Sequence, residues 1–556
     1  MWHRLERSAP PLLALVLLVG LVLVAPGGRA AKAGATAAAA SEHPLSTRAA
    51  FELLAKGGNA ADAMAAAALV AGVVNPSSSG IGGGGLALVL KAGERIPTSL
   101  DFREVAPLAL DPSVLERRPL EHAERGHLVG VPSEVAGLHT LVERFGKRPW
   151  AEVVAPAERL ARAGFGVGAH LARTLARSSG DLRKDAGLDS LYFPNGRPAL
   201  QGRVLRNPAL AATLRRVAAE GPLALHDGPI AAELVATARS AGGTLALEDL
   251  KRYRVHERTA LHMKWAGHDV FTMPPPSAGG LLLLQTLGLF SPSELQRLGW
   301  GSGALQHLLA EAFRAALIDR LRSVGDPDLT RVDVARLLDP ARLAKLRANL
   351  AIDRTHSLPL LAAQQHGTHH LVVADSDGMV VSLTTTVNRV FGAKLVAPVS
   401  GVVLNDELDD FTLTSDVKAL GLTHNPNAPR PGARPVSSMT PTIVLREGKP
   451  VLALGGSGGM AIGTNVTQLL IGRLVFDKSP LELVRTPRFY VFPRGPTMML
   501  EPEGASEPLM ADLAYRGEKV GKLPFAFSAV QIVAQGPDGT LQAAADARKF
   551  GSAEVR

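Results

Sequence analysis

A layered α+β protein is expected from three features of the sequence. The middle of the chain, about 110–350, has mostly helical apolar spacing. From about 367 onward, short alternating runs bounded by turn residues replace it, and no internal repeat is present. The chain has 556 residues, 46% apolar and 20% charged, enough for a large core and too apolar for wholesale disorder. Its 56 glycines fall far below the one in three of a collagen.

The elements follow in chain order. Residues 1–30 read as an export signal: Arg4 and Arg7 precede the apolar run 12–25, and small residues Gly28 and Ala30 follow it. That run is short for a membrane span. Export to the periplasm or outside the cell is therefore expected, with an uncleaved anchor as the alternative. Segment 31–41 is low in complexity and reads as a tether, so folding is expected to begin near Glu42 or His43. A helix over 45–56 ends at Gly57-Gly58, and an Ala-rich helix covers 60–73. After the Asn75–Ser79 loop and the glycine run 80–85, Leu86–Leu90 reads as a strand. Helices are expected at 133–145, 150–163, 206–219, 229–240, 280–290, 302–323 and 333–349, with a rigid turn at Pro274–Ser277. His370–Ala374 and Met379–Val387 form a hairpin about the turn Asp375–Gly378. Further β-like runs are 395–404, 441–446, 450–454 and 526–534, and Thr423–Pro435 is a long polar loop.

Composition narrows the chemistry. With no cysteine, disulfides, thiolate metal sites, thiol nucleophiles and lipoprotein anchoring are excluded. The net charge of +9 comes from dispersed arginines, and aromatics are only 4%, so no nucleic-acid partner is expected. Gly80–Gly85 satisfies GxGxxG, but a strand follows it where a dinucleotide site needs a helix; it reads as a close backbone crossing. Gly455–Gly459 follows a strand and offers consecutive N–H groups for an oxyanion, or is a plain turn. His366, His369 and His370 lie close together, but strand alternation separates the last two, and no metal is expected.

Thr368 opens the first strand of the hairpin. Were the Gly367–Thr368 bond cut, its free α-amine, with a reference pKa of about 7.7–8.0, could serve as base for its own hydroxyl. On the second strand Ser382, Thr384, Thr386 and Asn388 share one face, and Val381, Leu383 and Val387 the other. Carboxylates concentrate at Asn405–Phe411, hydroxyls at Ser437-Ser438, and Arg103 lies far upstream. An arginine to fork a carboxylate and an aspartate to pair an ammonium would read an amino-acid head group.

These residues, with HPLSTRAAFELLAKGGNAADA, NPSSSGIGGGG, LDFREVAP, MPPPSAGG, GDPD, GTHHLVVADSDGMVVSLTTTVN, GVVLNDELDDF, RPVSSMTPTIV and GGSGG in that order, resemble the gamma-glutamyltranspeptidase family of N-terminal-nucleophile hydrolases. The resemblance implies a four-layer αββα sandwich built jointly by a large subunit, 42–367, and a small one, 368–556, after self-cleavage at Gly367–Thr368. It implies Thr368 as nucleophile, Thr386 as its positioning partner, and Gly458 and Gly459 as oxyanion donors. Arg103, Ser437 and Ser438 would hold the substrate α-carboxylate; Asn388, Glu407 and Asp410 would hold its amino end. The implied reaction transfers the γ-glutamyl group of glutathione or another γ-glutamyl amide through a Thr ester to water, an amino acid or a peptide, without a cofactor. Alternatives are an acylase of the same fold acting on glutaryl amides, β-lactam side chains or poly-γ-glutamate, and an unprocessed, non-catalytic homologue. The sequence departs from the family pattern at His369, Met460 and Ser277–Gly280, and matches it only loosely in length over 412–435.

Overall fold

A computed structural model describes residues 36–355, 367–419, 421–491, 497–536 and 538–556. The export segment, residues 31–35 of the tether and His366 lie outside them. No helix among the described residues is long and apolar enough to cross a membrane.

Two antiparallel sheets carry the fold. Their strands, in chain order, are β1 (Ala38–Ser41), β2 (Gly84–Leu90), β3 (Thr98–Phe102), β4 (His256–Thr259), β5 (Leu261–Trp265), β6 (His268–Thr272), β7 (Gly367–Ala374), β8 (Val380–Asn388), β9 (Thr442–Arg446), β10 (Lys449–Ser457), β11 (Ala529–Gln535), β12 (Leu541–Ala545) and β13 (Ser552–Val555). One sheet runs β13-β1-β7-β8-β2-β3-β4, the other β12-β11-β10-β9-β6-β5. Period-two alternation sets the layers. Leu371 and Val373 of β7 face one apolar core with helices α1 (Pro44–Ala55) and α2 (Ala60–Val74). Val372 and Ala374 face a second core with Ile443, Ala453 and Val533 of the other sheet. Helices α3 (Gly279–Leu289), α4 (Gly303–Ser323) and α5 (Ala461–Phe476) cover that sheet's far side. The result is the expected αββα stack, and strands from before and after residue 367 share each sheet.

The chain begins to fold earlier than its composition suggests. Ala38–Ser41, read above as tether, is a buried strand paired on both edges, Ala39 with Glu554 and with Val373. Its alanines are uninformative alone; two neighbouring strands supply the ladder, and small side chains fit between the layers. The strand that carries Thr368 likewise starts at Gly367 rather than His370. The 333–349 helix is two pieces, Val334–Leu337 and Pro340–Asn349, because Pro340 starts a new helix better than it continues one. The 395–404 run holds only a two-residue ribbon, Val396–Ala397 with Val402–Val403. The loosely matching loop contains a short helix, Thr414–Ala419.

The glycine run 80–85 is a close crossing. A Cβ on Gly82 would lie 2.0 Å from the Val403 carbonyl oxygen, and one on Gly83 2.0 Å from that of Thr386. Any side chain there would push β8 away from β2 at the end that carries the site.

Candidate active site

Thr368 is the second residue of β7 and pairs across the ladder with Thr386 of β8. The Thr386 hydroxyl is fixed three ways. It accepts the Asn388 N–H at 2.8 Å, donates to the Gly367 carbonyl at 2.8 Å, and lies 3.5 Å from Thr368 Oγ1. A bulge between Thr386 and Asn388, with Asn388 at φ 71°, turns the strand end so that these groups converge. Gly367 is required sterically rather than conformationally: it is not among the residues of positive φ, but a Cβ there would meet the Ser77 carbonyl oxygen at 2.3 Å.

At this end of the sheet β1 peels away into α1, and a buried ion pair replaces the missing ladder. Lys549 Nζ donates to the Thr368 carbonyl at 2.7 Å and lies 3.1 Å from Glu42 Oε2. Glu42 Oε1 accepts the His370 N–H at 3.0 Å. The two polar groups that a neighbouring strand would have satisfied are thus satisfied by side chains from the two ends of the folded chain. His369 points behind the strand, where its Nε2 accepts the Glu42 N–H, and is not among the residues lining the cavity. Burial, reinforced by the Lys549 charge, holds its imidazole neutral, well below its ordinary range. His370 faces the other way, with Nδ1 2.8 Å from Thr384 Oγ1, so the two histidines diverge as alternation requires.

Thr368 and Thr386 open onto one cavity with Arg103, Asn388, Glu407, Asp410, Ser437, Ser438 and Gly459. The sequence-predicted residues are brought together, except that Gly458 and Gly367 sit just behind the lining. The guanidinium of Arg103 is fully engaged: it donates to Glu407, to Asp410 Oδ2 at 2.6 Å and to the Pro435 carbonyl at 3.1 Å. Glu104 Oε2 stands 4.0 Å away. Burial disfavours the Arg103 charge, but Glu407, Asp410 and Glu104 more than offset it. Burial also raises the Glu104 carboxyl to about 7, against the pull of Arg103. Burial raises Glu407 still more strongly, so this corner holds one cation among three acidic side chains, two of which are pushed toward their neutral form. Asn388 Nδ2 donates to the Asp406 carbonyl at 3.0 Å, and Ser437 Oγ accepts the Met439 N–H at 3.1 Å.

On the opposite wall β10 ends in Gly458 at φ 122° and Gly459 at φ 60°, and α5 starts two residues later. A Cβ on Gly458 would meet that of Ser528 at 2.6 Å. The positive φ values turn the chain sharply into the helix, whose N-terminal partial charge favours an anion here. Met460, Phe411 and Arg320 also line the cavity and were given no role from sequence. Arg320 sits in a helix with no motif signal of its own, five positions before the GDPD quoted above.

Behind β8, Thr385 donates to Glu134 Oε2, whereas Glu134 Oε1 has no partner among the described residues. Burial pushes this carboxyl up to about 8. Its folded pKa exceeds the unfolded value, so the protonated form stabilises below about 4.5 and that contribution is lost as pH rises through 8. Glu134→Gln, which mimics the protonated acid, is expected to match the parent near pH 5 and to be more stable by on the order of a few kcal/mol at pH 9. Denaturant melts at the two pH values check this; parallel curves for the two proteins would contradict the assignment.

Two stacked sheets between helical layers, with Thr368 at a strand start opening onto the cavity, are the architecture of the N-terminal-nucleophile hydrolases. Within that class the chain belongs to the gamma-glutamyltranspeptidase family, whose profile matches residues 46–555. It is 39% identical to glutathione hydrolase 2 of Arabidopsis thaliana over 461 residues, 79% of this chain and 77% of that one. It is 32% identical to the glutathione hydrolase proenzyme of Escherichia coli K12, covering 92% and 90% of the two chains. Among solved structures it resembles a cephalosporin acylase from Bacillus halodurans with TM-score 0.86 and 25% identity, over 97% of this chain and 99% of that one. Family and relatives together identify an enzyme of the γ-glutamyl hydrolase and transferase type.

Proposed function

We propose that the protein is an exported proenzyme that cuts itself between Gly367 and Thr368 and then acts on glutathione and other γ-glutamyl amides through a γ-glutamyl-Thr368 ester. The observation that carries this reading is the hydrogen bond from Thr386 to the Gly367 carbonyl, with Thr368 Oγ1 alongside. The same hydroxyl that orients Thr368 polarises the carbonyl next to it. Attack of Oγ1 on that carbonyl, followed by hydrolysis of the resulting ester, would free the Thr368 α-amine and separate the large and small subunits.

In the matured site the α-amine takes the Oγ1 proton as the hydroxyl attacks the γ-carbonyl, then passes it to the leaving nitrogen. The Lys549 ammonium on the neighbouring carbonyl favours the neutral, basic form of that amine. Gly458 and Gly459 N–H groups stabilise the oxyanion, each donor in such a site contributing about 3 kcal/mol. The acidic corner at Glu407 and Asp410 takes the substrate ammonium, with Asn388 beside it; Arg103, Ser437 and Ser438 take its carboxylate. Water or an amino group then attacks the ester, deprotonated by the same α-amine.

A second reading, an acylase for glutaryl-type amides, is favoured by the likeness to the cephalosporin acylase. Initial rates on L-γ-glutamyl and glutaryl p-nitroanilides separate the two. The proposal expects at least about a tenfold preference for the γ-glutamyl donor, from one charge-assisted contact. A preference for glutaryl would favour the acylase.

A further inference from the structure

Two guanidiniums line the cavity, and they are not in the same state. Arg103 is enclosed, and its charge is already met by Glu407 and Asp410. Arg320 is half-buried, projects from α4, and donates only to neutral groups: the Ser438 hydroxyl and, at 3.4 Å, the Val436 carbonyl. Among the described residues it has no carboxylate within ion-pair distance. Ser438 Oγ accepts from Arg320, and its own proton has no acceptor among the described residues. A fork-shaped cation and a spare hydroxyl donor therefore face the cavity side by side, which is the donor set a carboxylate takes.

Resting on the γ-glutamyl reading above, we infer that Arg320, presented with Ser438, is a second carboxylate-recognising residue for the donor. The Asp410 charge already acts on Arg320 from beyond contact distance, but an entering carboxylate gains from Arg320 without breaking any contact pair. To be held by Arg103 alone it would have to compete with Glu407 and Asp410, which the substrate ammonium needs. The pocket thus divides by charge: an acidic corner organised by Arg103 for the ammonium, and a cationic edge at Arg320 and Ser438 for the carboxylate. Arg103 sets where the two meet.

Three donors dissect this. L-γ-Glutamyl p-nitroanilide carries both groups, the glutaryl compound only the carboxylate, and the 4-aminobutyryl compound only the ammonium. In the purified enzyme Arg320→Met is expected to raise KM about 10- to 100-fold for the first two and less than about threefold for the third. Arg320→Lys should recover part of the loss, since it restores charge without the fork. Calorimetric titration of glutarate and 4-aminobutyramide gives a readout independent of turnover: Arg320→Met should weaken only glutarate. Equal losses on all ligands would assign Arg320 a purely structural role at Ser438, and unchanged glutarate binding would overturn the inference. If the parent protein turns over no donor, the functional proposal fails, while the glutarate titration still decides Arg320.

Discussion

Thr368→Ala is expected to yield one uncut chain and to lose at least about 10⁴-fold in turnover, the usual consequence of removing a nucleophile. The substitution deletes Oγ1 and leaves the rest of the strand end in place. The Lys549 bond goes to the Thr368 carbonyl, the Thr386 bonds go to backbone, and the β7–β8 register is untouched. Loss of cutting therefore reports chemistry rather than misfolding, and unchanged thermal melting checks that. A denaturing gel with N-terminal sequencing of the smaller fragment gives the result directly: the parent should split, with Thr368 first. Thr368→Ser, which keeps a hydroxyl, should still split, though more slowly. A Thr368→Ala chain that divides at the same bond would end the proposal of self-cleavage there.

Arg103→Met is expected to damage stability and activity together. Glu407 is 1% exposed and would be left beside Asp410 and Glu104 with no cation between them. Breaking a buried pair by removing one partner costs about 3–5 kcal/mol, because the survivor stays buried and unpaired. The deficit has a definite pH dependence. The unpaired carboxyl groups bind protons more readily in the folded variant than in the unfolded chain, so its instability should be smallest at about pH 5 and grow toward pH 8. Urea melts of parent and variant across that range measure it. A deficit that does not change with pH would mean that the three carboxyl groups do not sense Arg103. Activity on γ-glutamyl donors should fall as the ammonium corner loses its geometry.

Much of this was legible in residues whose pattern is local. The 370–387 hairpin, the helices 150–163 and 302–323, and the polar face holding Thr384 and Thr386 follow from period and turn chemistry. The convergence of Arg103 with Asp410, some three hundred residues apart, has no local signal; only the order of motifs pointed to it. Strand β1 was missed because its four-residue AAAS sequence has no preference of its own, and its partners lie at the opposite end of the chain. Arg320 was missed for a related reason. On a helix with polar residues around much of its circumference, an arginine that turns inward looks the same as one that faces water. The pairing within the pocket also could not be read from sequence: residue types gave an arginine for a carboxylate, while packing gave that arginine to two acidic side chains first.

The clamp on the Thr368 carbonyl also bears on assembly. Glu42 and Lys549 lie some five hundred residues apart in sequence, yet they meet at one strand end. The strand that carries Thr368 is therefore fully seated only when the segments bearing Glu42 and Lys549 have both docked beside it, Glu42 just after β1 and Lys549 just before β13. A chain in which either segment is undocked leaves the Thr368 carbonyl or the His370 N–H without its partner.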